Sequence, residues 1–136
     1  MQVSKQGKDK RVVISIVWIF YTLNTLYLNV LKILGGVTPT KAEEAELINS
    51  LATPEMLLFA AAYLEMAMVM IVLSRFLKYG INRWVNIIVA TLHALGAVAS
   101  LFVAAPAIHI FFVVVEVSAL LFIVWYAWTW AEPQNG

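Results

Sequence analysis

The sequence contains no cysteine, which excludes disulfides, thiolate metal sites and thiol catalysis. Charge is almost as scarce: 12% of the 136 residues are Asp, Glu, Lys or Arg, about half the fraction found in an average soluble domain. Nine basic and eight acidic side chains cannot clothe a water-soluble core of this length. A net charge of +1 offers no footing for nucleic acid. No Gly-rich phosphate loop or nucleophile elbow occurs, so nothing marks the chain as an enzyme of a familiar soluble kind. What is abundant is apolar surface, 62% of the residues, with a mean hydropathy of +0.86. Lipid is the expected solvent.

A membrane helix needs about 20 mostly apolar residues, and four stretches qualify, at about 12–31, 54–73, 84–104 and 107–128. The expected fold is all-α, an up-down-up-down four-helix transmembrane bundle forming one domain over 12–130. A basic segment, 1–11, precedes it and a short tail, 131–136, follows it. Gly35-Gly36 closes the first span. Thr53-Pro54-Glu55 opens the second with a hydroxyl cap, a proline and an acid at the positive helix end. Gly80 and Asn82 are expected to separate spans two and three, and Pro106 spans three and four. Between spans one and two, Thr40-Lys41-Ala42-Glu43 reads as a capping box that begins a short amphipathic surface helix.

Seven of the nine cations (Lys5, Lys8, Lys10, Arg11, Arg75, Lys78 and Arg83) fall on one side of these spans. The positive-inside rule therefore predicts two cytoplasmic termini in a multi-pass protein of the cell (inner) membrane, with the surface helix outside. Trp84, Trp125, Tyr126, Trp128 and Trp130 gather near the cytoplasmic interface as an anchoring belt. The first span has no small-residue cleavage site and is not a signal peptide.

The informative residues are those that cost energy in lipid. Glu65, His93 and Glu116 lie near the middle of spans two, three and four, and span one brings Tyr21 and Asn24 to the same depth. An ionisable group at the bilayer centre costs at least about 2.5–3.5 kcal/mol, so convergence in the bundle interior is expected. On span one, Trp18, Tyr21, Thr22, Asn24, Thr25 and Asn29 share one side and Ile16, Ile19, Leu23, Leu26 and Val30 the other, an inside-out amphipathic helix. On span three, Asn86, His93 and Ser100 recur every seven residues beside Ala90, Gly96 and Ala97, and His109 and Glu116 repeat that spacing on span four. Asn86 and Ser100 suit interhelical glue. Arg75, Asn82 and Arg83 suit a structural place near the end of spans two and three, and His109 an interfacial one.

Such a constellation titrates as a coupled set near neutral pH. It fits a pocket that binds or senses a small or lipophilic ligand. Two alternatives use the same residues: a proton-coupled transporter or channel protomer working as an oligomer, and an accessory subunit whose polar core is only glue. No cofactor is expected. Glu65, His93 and Glu116 are the candidates if a metal binds, although there is no Glu-x-x-His pair. The expected partners are the bilayer, an unidentified ligand and a second copy of the chain.

The stretches Leu73-Ser-Arg-Phe-Leu77, Asn82-Arg-Trp-Val-Asn86-Ile-Ile and Ile123-Val-Trp-Tyr-Ala-Trp-Thr-Trp130, with Glu65, His93 and Glu116, resemble a family of small four-span prokaryotic membrane proteins of unknown function. The resemblance implies one complete four-helix unit, with Glu65, Arg75, Asn82, Arg83, Asn86, His93 and Glu116 as family polar positions. It implies no activity.

Overall fold

A computed structural model describes residues 5–35 and 41–131. These form five helices: α1 (Lys5–Leu34), α2 (Ala42–Leu51), α3 (Pro54–Phe76), α4 (Tyr79–Ser100) and α5 (Ala107–Trp128). All except α2 are long and apolar enough to cross a membrane. Helices of 22 or 23 residues rise about 33–35 Å, enough for the hydrocarbon core.

The four long helices form a ring in which α1 lies between α3 and α5, and α4 completes the circuit. Side-chain bonds give the directions. Ser15 on α1 meets Ile71 near the end of α3, and Thr25 meets Glu116 on α5, so α1 runs antiparallel to both. Trp18 and Tyr21 reach Asn86 and His93 in the same order, so α1 and α4 are parallel. This is the up-down-up-down bundle expected from four spans and short turns. Ile16, Ile19, Leu23, Leu26 and Val30 are exposed, whereas Trp18 and Tyr21 join Met70, Ala90, Leu120 and Ile123 in the core.

The boundaries differ from expectation in three places. The break between spans two and three falls at Leu77–Lys78, and Gly80 and Asn82 lie inside α4. Asn82 does not act as a turn former because its amide is engaged in a tertiary bond, donating to the Ser74 carbonyl at 2.7 Å. At the other end α4 stops at Ser100, before Ala104. The chain tightens there through bonds from Leu101 N to Val98 O and from Phe102 N to Ala99 O, both 3.1 Å, ahead of Pro106. Lys41 occupies the N-cap of α2 without a side-chain bond, and Thr40 of the expected capping box lies outside the described residues. The opening of α3 is as its sequence implies: Thr53 accepts from Met56 N at 3.3 Å and Pro54 fills the first turn.

The aromatic belt also divides. Trp84, Trp125 and Trp128 are exposed, and Trp128 packs edge-on against Trp84 with the Arg83 guanidinium 5.6 Å from its ring centroid. Trp130 is buried instead, packed edge-on against Tyr79, whose hydroxyl donates to the Trp130 carbonyl.

Candidate functional site

Polar side chains occupy the bundle interior in three layers. The first, toward the end where α1 begins, is an amide network joining α1, α3 and α4. Asn86 Oδ1 accepts from the Trp18 indole at 2.7 Å and lies 3.1 Å from the Ser74 hydroxyl, whose proton goes to the Met70 carbonyl at 2.6 Å. Its Nδ2 donates to the carbonyl and Oδ1 of Asn82, at 2.8 and 2.6 Å. Trp18, Ser74, Asn82 and Asn86 are all fully buried. Buried polar groups are tolerated where every one has a partner, and this layer meets that condition.

The second layer centres on His93, fully buried among aromatic rings. Its Nδ1 lies 3.0 Å from the Tyr21 hydroxyl. Tyr63 stacks on the imidazole with centroids 4.0 Å apart, and donates its hydroxyl to the His93 carbonyl at 2.9 Å. Trp18 meets the ring edge-on. Gly96 makes this arrangement possible, because a Cβ there would strike the Tyr63 hydroxyl and lie 2.9 Å from its Cζ. His93 Nε2 has no partner among the described residues.

The third layer lies toward the end carrying α2. Thr25 donates to Glu116 at 2.8 Å, and Asn24 reaches the Phe112 carbonyl at 3.5 Å. The Lys32 ammonium lies 3.1 Å from His109 Nδ1, and His109 Nε2 lies 2.9 Å from the Ser100 hydroxyl, which donates to the Ala97 carbonyl at 2.6 Å. An ammonium only donates, so His109 accepts at Nδ1 and gives its Nε2 proton to Ser100. Tyr21 and Thr25 are one turn apart on α1, which sets the second layer beside the third.

Of the residues singled out in the sequence, Tyr21 and His93 are bonded to each other, and Glu116 and Asn24 lie in the adjoining layer. Asn82 and Asn86 form the amide layer, and His109 belongs to the Lys32 cluster. Arg75 is exposed, and its carbonyl accepts from Arg11 at 3.3 Å. Arg83 stands over Trp128 at the bundle end. Glu65 does not join the others. It is exposed and has no hydrogen bond among the described residues. The reason is helical phase: Tyr63, Ala67, Met70 and Ser74 form the inner ridge of α3, and Glu65, two residues from both Tyr63 and Ala67, is turned about 200° away. Accordingly, among the described residues no three His, Asp or Glu side chains gather as a metal set.

Sequence reasoning overlooked Tyr63, Ser74 and Lys32 as parts of the interior. The 4-3-4 spacing of Tyr63, Ala67, Met70 and Ser74 carried the signal for the first two.

A groove of about 350 Å³ opens between α1 and α3, lined among others by Tyr21, Thr22, Thr25, Leu64 and Met68. Ser74, Thr91 and Ser118 each return their hydroxyl to the carbonyl four residues back, the usual solution for a hydroxyl in a membrane helix. Thr22 does not: its hydroxyl is buried and has no partner among the described residues.

Among known proteins, the model of a family of unknown function (DUF6326) matches residues 1–135. No curated protein and no solved structure matches the chain.

Proposed function

The chain belongs to this family of unknown function, and from that premise we propose that it binds a lipid-soluble ligand bearing a hydroxyl or carbonyl group in the groove between α1 and α3. The observation that carries this reading is the Thr22 hydroxyl, buried at the wall of this groove without a partner among the described residues, in a lining that is apolar apart from Tyr21, Thr22, Thr25 and Asn29. A few polar groups set in an apolar concavity are the usual makeup of a small-molecule site. Tyr21 and Thr25 line the same groove while bonded to His93 and Glu116, so an occupant sits directly against groups that titrate. The predominance of cations at the opposite bundle end from α2 supports termini in the cytoplasm and α2 outside.

The test uses purified protein in lipid nanodiscs and a long-chain alcohol carrying a photoreactive diazirine. Adducts are expected on residues 19–29 and 64–71, and Met68→Trp, which fills the groove, removes them. Thr22→Val weakens capture of the alcohol by about fivefold, the worth of one hydrogen bond, and leaves capture of the matching alkane unchanged. Labelling spread evenly over the exposed faces and indifferent to Met68→Trp defeats the reading.

Glu65 favours a second reading, assembly with another copy. An exposed acid midway along α3 is costly in hydrocarbon, and a neighbouring helix relieves that cost. Because the chain has no native cysteine, Glu65→Cys under mild oxidation is expected to give a disulfide-linked dimer in membranes. Val114→Cys, also at an exposed position, on α5, is expected to give none. Equal behaviour of the two variants removes this reading.

A further inference from the structure

The sequence places an acid and a histidine at mid-membrane depth, and the structure joins them through two hydroxyls rather than by contact. Glu116 meets Thr25 at 2.8 Å. Thr25 and Tyr21 are one turn apart on α1, where side chains four residues apart are neighbours, although no hydrogen bond joins their hydroxyls in this structure, Thr25 being turned to Glu116 and Tyr21 to His93. Tyr21 meets His93 Nδ1 at 3.0 Å. The line ends at His93 Nε2, a buried nitrogen without a partner among the described residues.

We infer that Glu116, Thr25, Tyr21 and His93 form a proton relay, open toward the α2 end of the bundle and closed toward the other. This does not depend on the groove having a ligand. In the starting state the Glu116 carboxyl O–H donates to Thr25, Thr25 donates to Tyr21, and Tyr21 donates to Nδ1 of a neutral His93. Each O–H bond then breaks as the next bond to hydrogen forms. Glu116 is left as a carboxylate, both hydroxyls are restored, and His93 becomes an imidazolium. Afterwards every hydrogen bond points the other way, with Thr25 donating to Glu116. Hydroxyl hydrogens rotate freely enough to serve both directions, which is why Thr and Tyr suit the two inner positions and a methyl or a phenyl ring does not. The Thr25–Tyr21 step is the looser link.

The surroundings give the relay its direction. Glu116 is bonded to Thr25 of α1, Lys32 lies two turns further along that helix toward the α2 end, and His93 on α4 stands at the far end of the line. Lys32 is in turn bonded to His109, one heptad from Glu116 on α5, which continues to Ser100. Titratable groups therefore lead from the α2 end to Glu116. His93 is faced by Tyr21 from α1 and Tyr63 from α3. Beyond it, away from α2, stands the layer of Trp18, Asn86, Asn82 and Ser74. No residue of that layer gains or loses a proton in the physiological range, and its indole and amide donors are already committed, so the path ends there.

The experiment is a rapid pH jump on the full chain in nanodiscs, followed by time-resolved infrared spectroscopy. Glu116→Gln assigns the carboxyl signal and His93→Gln the imidazolium signal. In the wild type the two signals are expected to share one time course. Tyr21→Phe and Thr25→Val each delay the His93 signal by at least about tenfold, equivalent to about 1.4 kcal/mol of barrier. Thr25→Ser restores the rate, and Ser118→Ala, exposed on α5 and off the line, keeps it. Should Tyr21→Phe fail to fold, the Thr25→Val and Thr25→Ser pair decides. Wild-type kinetics in Thr25→Val, or a wild-type protein in which neither signal responds to pH, overturns the relay.

Discussion

Asn86→Leu is expected to lower the stability of the bundle by about 2–4 kcal/mol, measured by reversible unfolding in mixed micelles. Leucine keeps the branched shape of asparagine and suits lipid better but is bulkier, so the loss combines overpacking at a fully buried position with what Asn86 leaves behind. The Trp18 indole N–H has Asn86 Oδ1 as its partner, and Asn82 Oδ1 accepts from Asn86 Nδ2. Both are stranded where no water reaches. Interhelical hydrogen bonds in membrane proteins average well under 1 kcal/mol, but that average describes single bonds, and Asn86 ties three helices together. Adding Trp18→Phe to Asn86→Leu should cost less than the sum of the two single changes, because the stranded donor is then removed. As a control, Asn29→Leu deletes an exposed amide bonded only to the Thr25 carbonyl and should change stability by no more than about 0.5 kcal/mol. Equal costs at Asn29 and Asn86 would show that the network is not what holds these helices.

Gly96→Ala carries the second large effect, and its signature is local. The added methyl occupies the place of the Tyr63 hydroxyl and approaches Cζ to 2.9 Å, closer than real side chains come. Tyr63 cannot yield by a few tenths of an ångström, because it is stacked on His93 at 4.0 Å and bonded to the His93 carbonyl. It must swing out into the apolar groove between α3 and α4, which measures about 440 Å³. The expected cost is about 1–3 kcal/mol, the usual range for overpacking. The His93 ring protons should shift in NMR as the stacked ring departs. Gly80→Ala, where a Cβ meets nothing within 4 Å, should be neutral or slightly stabilising. Unchanged His93 resonances in Gly96→Ala would refute the arrangement of the second layer.

The interior was unevenly legible in the sequence, and helical phase explains why. On α1 the residues expected to face lipid are exposed and Trp18 and Tyr21 are buried, although Asn29, expected on the inner side, is exposed as well. On α4 the seven-residue recurrence of Asn86 and His93 marks a stripe that is buried, and on α5 His109 and Glu116 follow the same rule. No such contrast exists on α3. Its inner residues Tyr63, Ala67 and Met70 are barely more polar than the Leu, Val and Met residues facing outward, so composition does not reveal its rotation. The assumption that every ionisable group turns inward then misplaces Glu65, although it serves for His93 and Glu116.

Length, hydropathy and boundary residues were thus enough to determine four membrane-capable helices, their alternating course and a short helix between the first two. Those properties depend on one segment at a time, on how many apolar residues it strings together and what caps it. Two things depended on packing between segments. One is the rotation of α3, which turns Tyr63 inward and Glu65 outward. The other is the linkage of Glu116 to His93 through Thr25 and Tyr21. Side-chain depth can be counted along a helix, but contact requires neighbouring helices at a given rotation and spacing, and here that spacing leaves two hydroxyls between the acid and the imidazole.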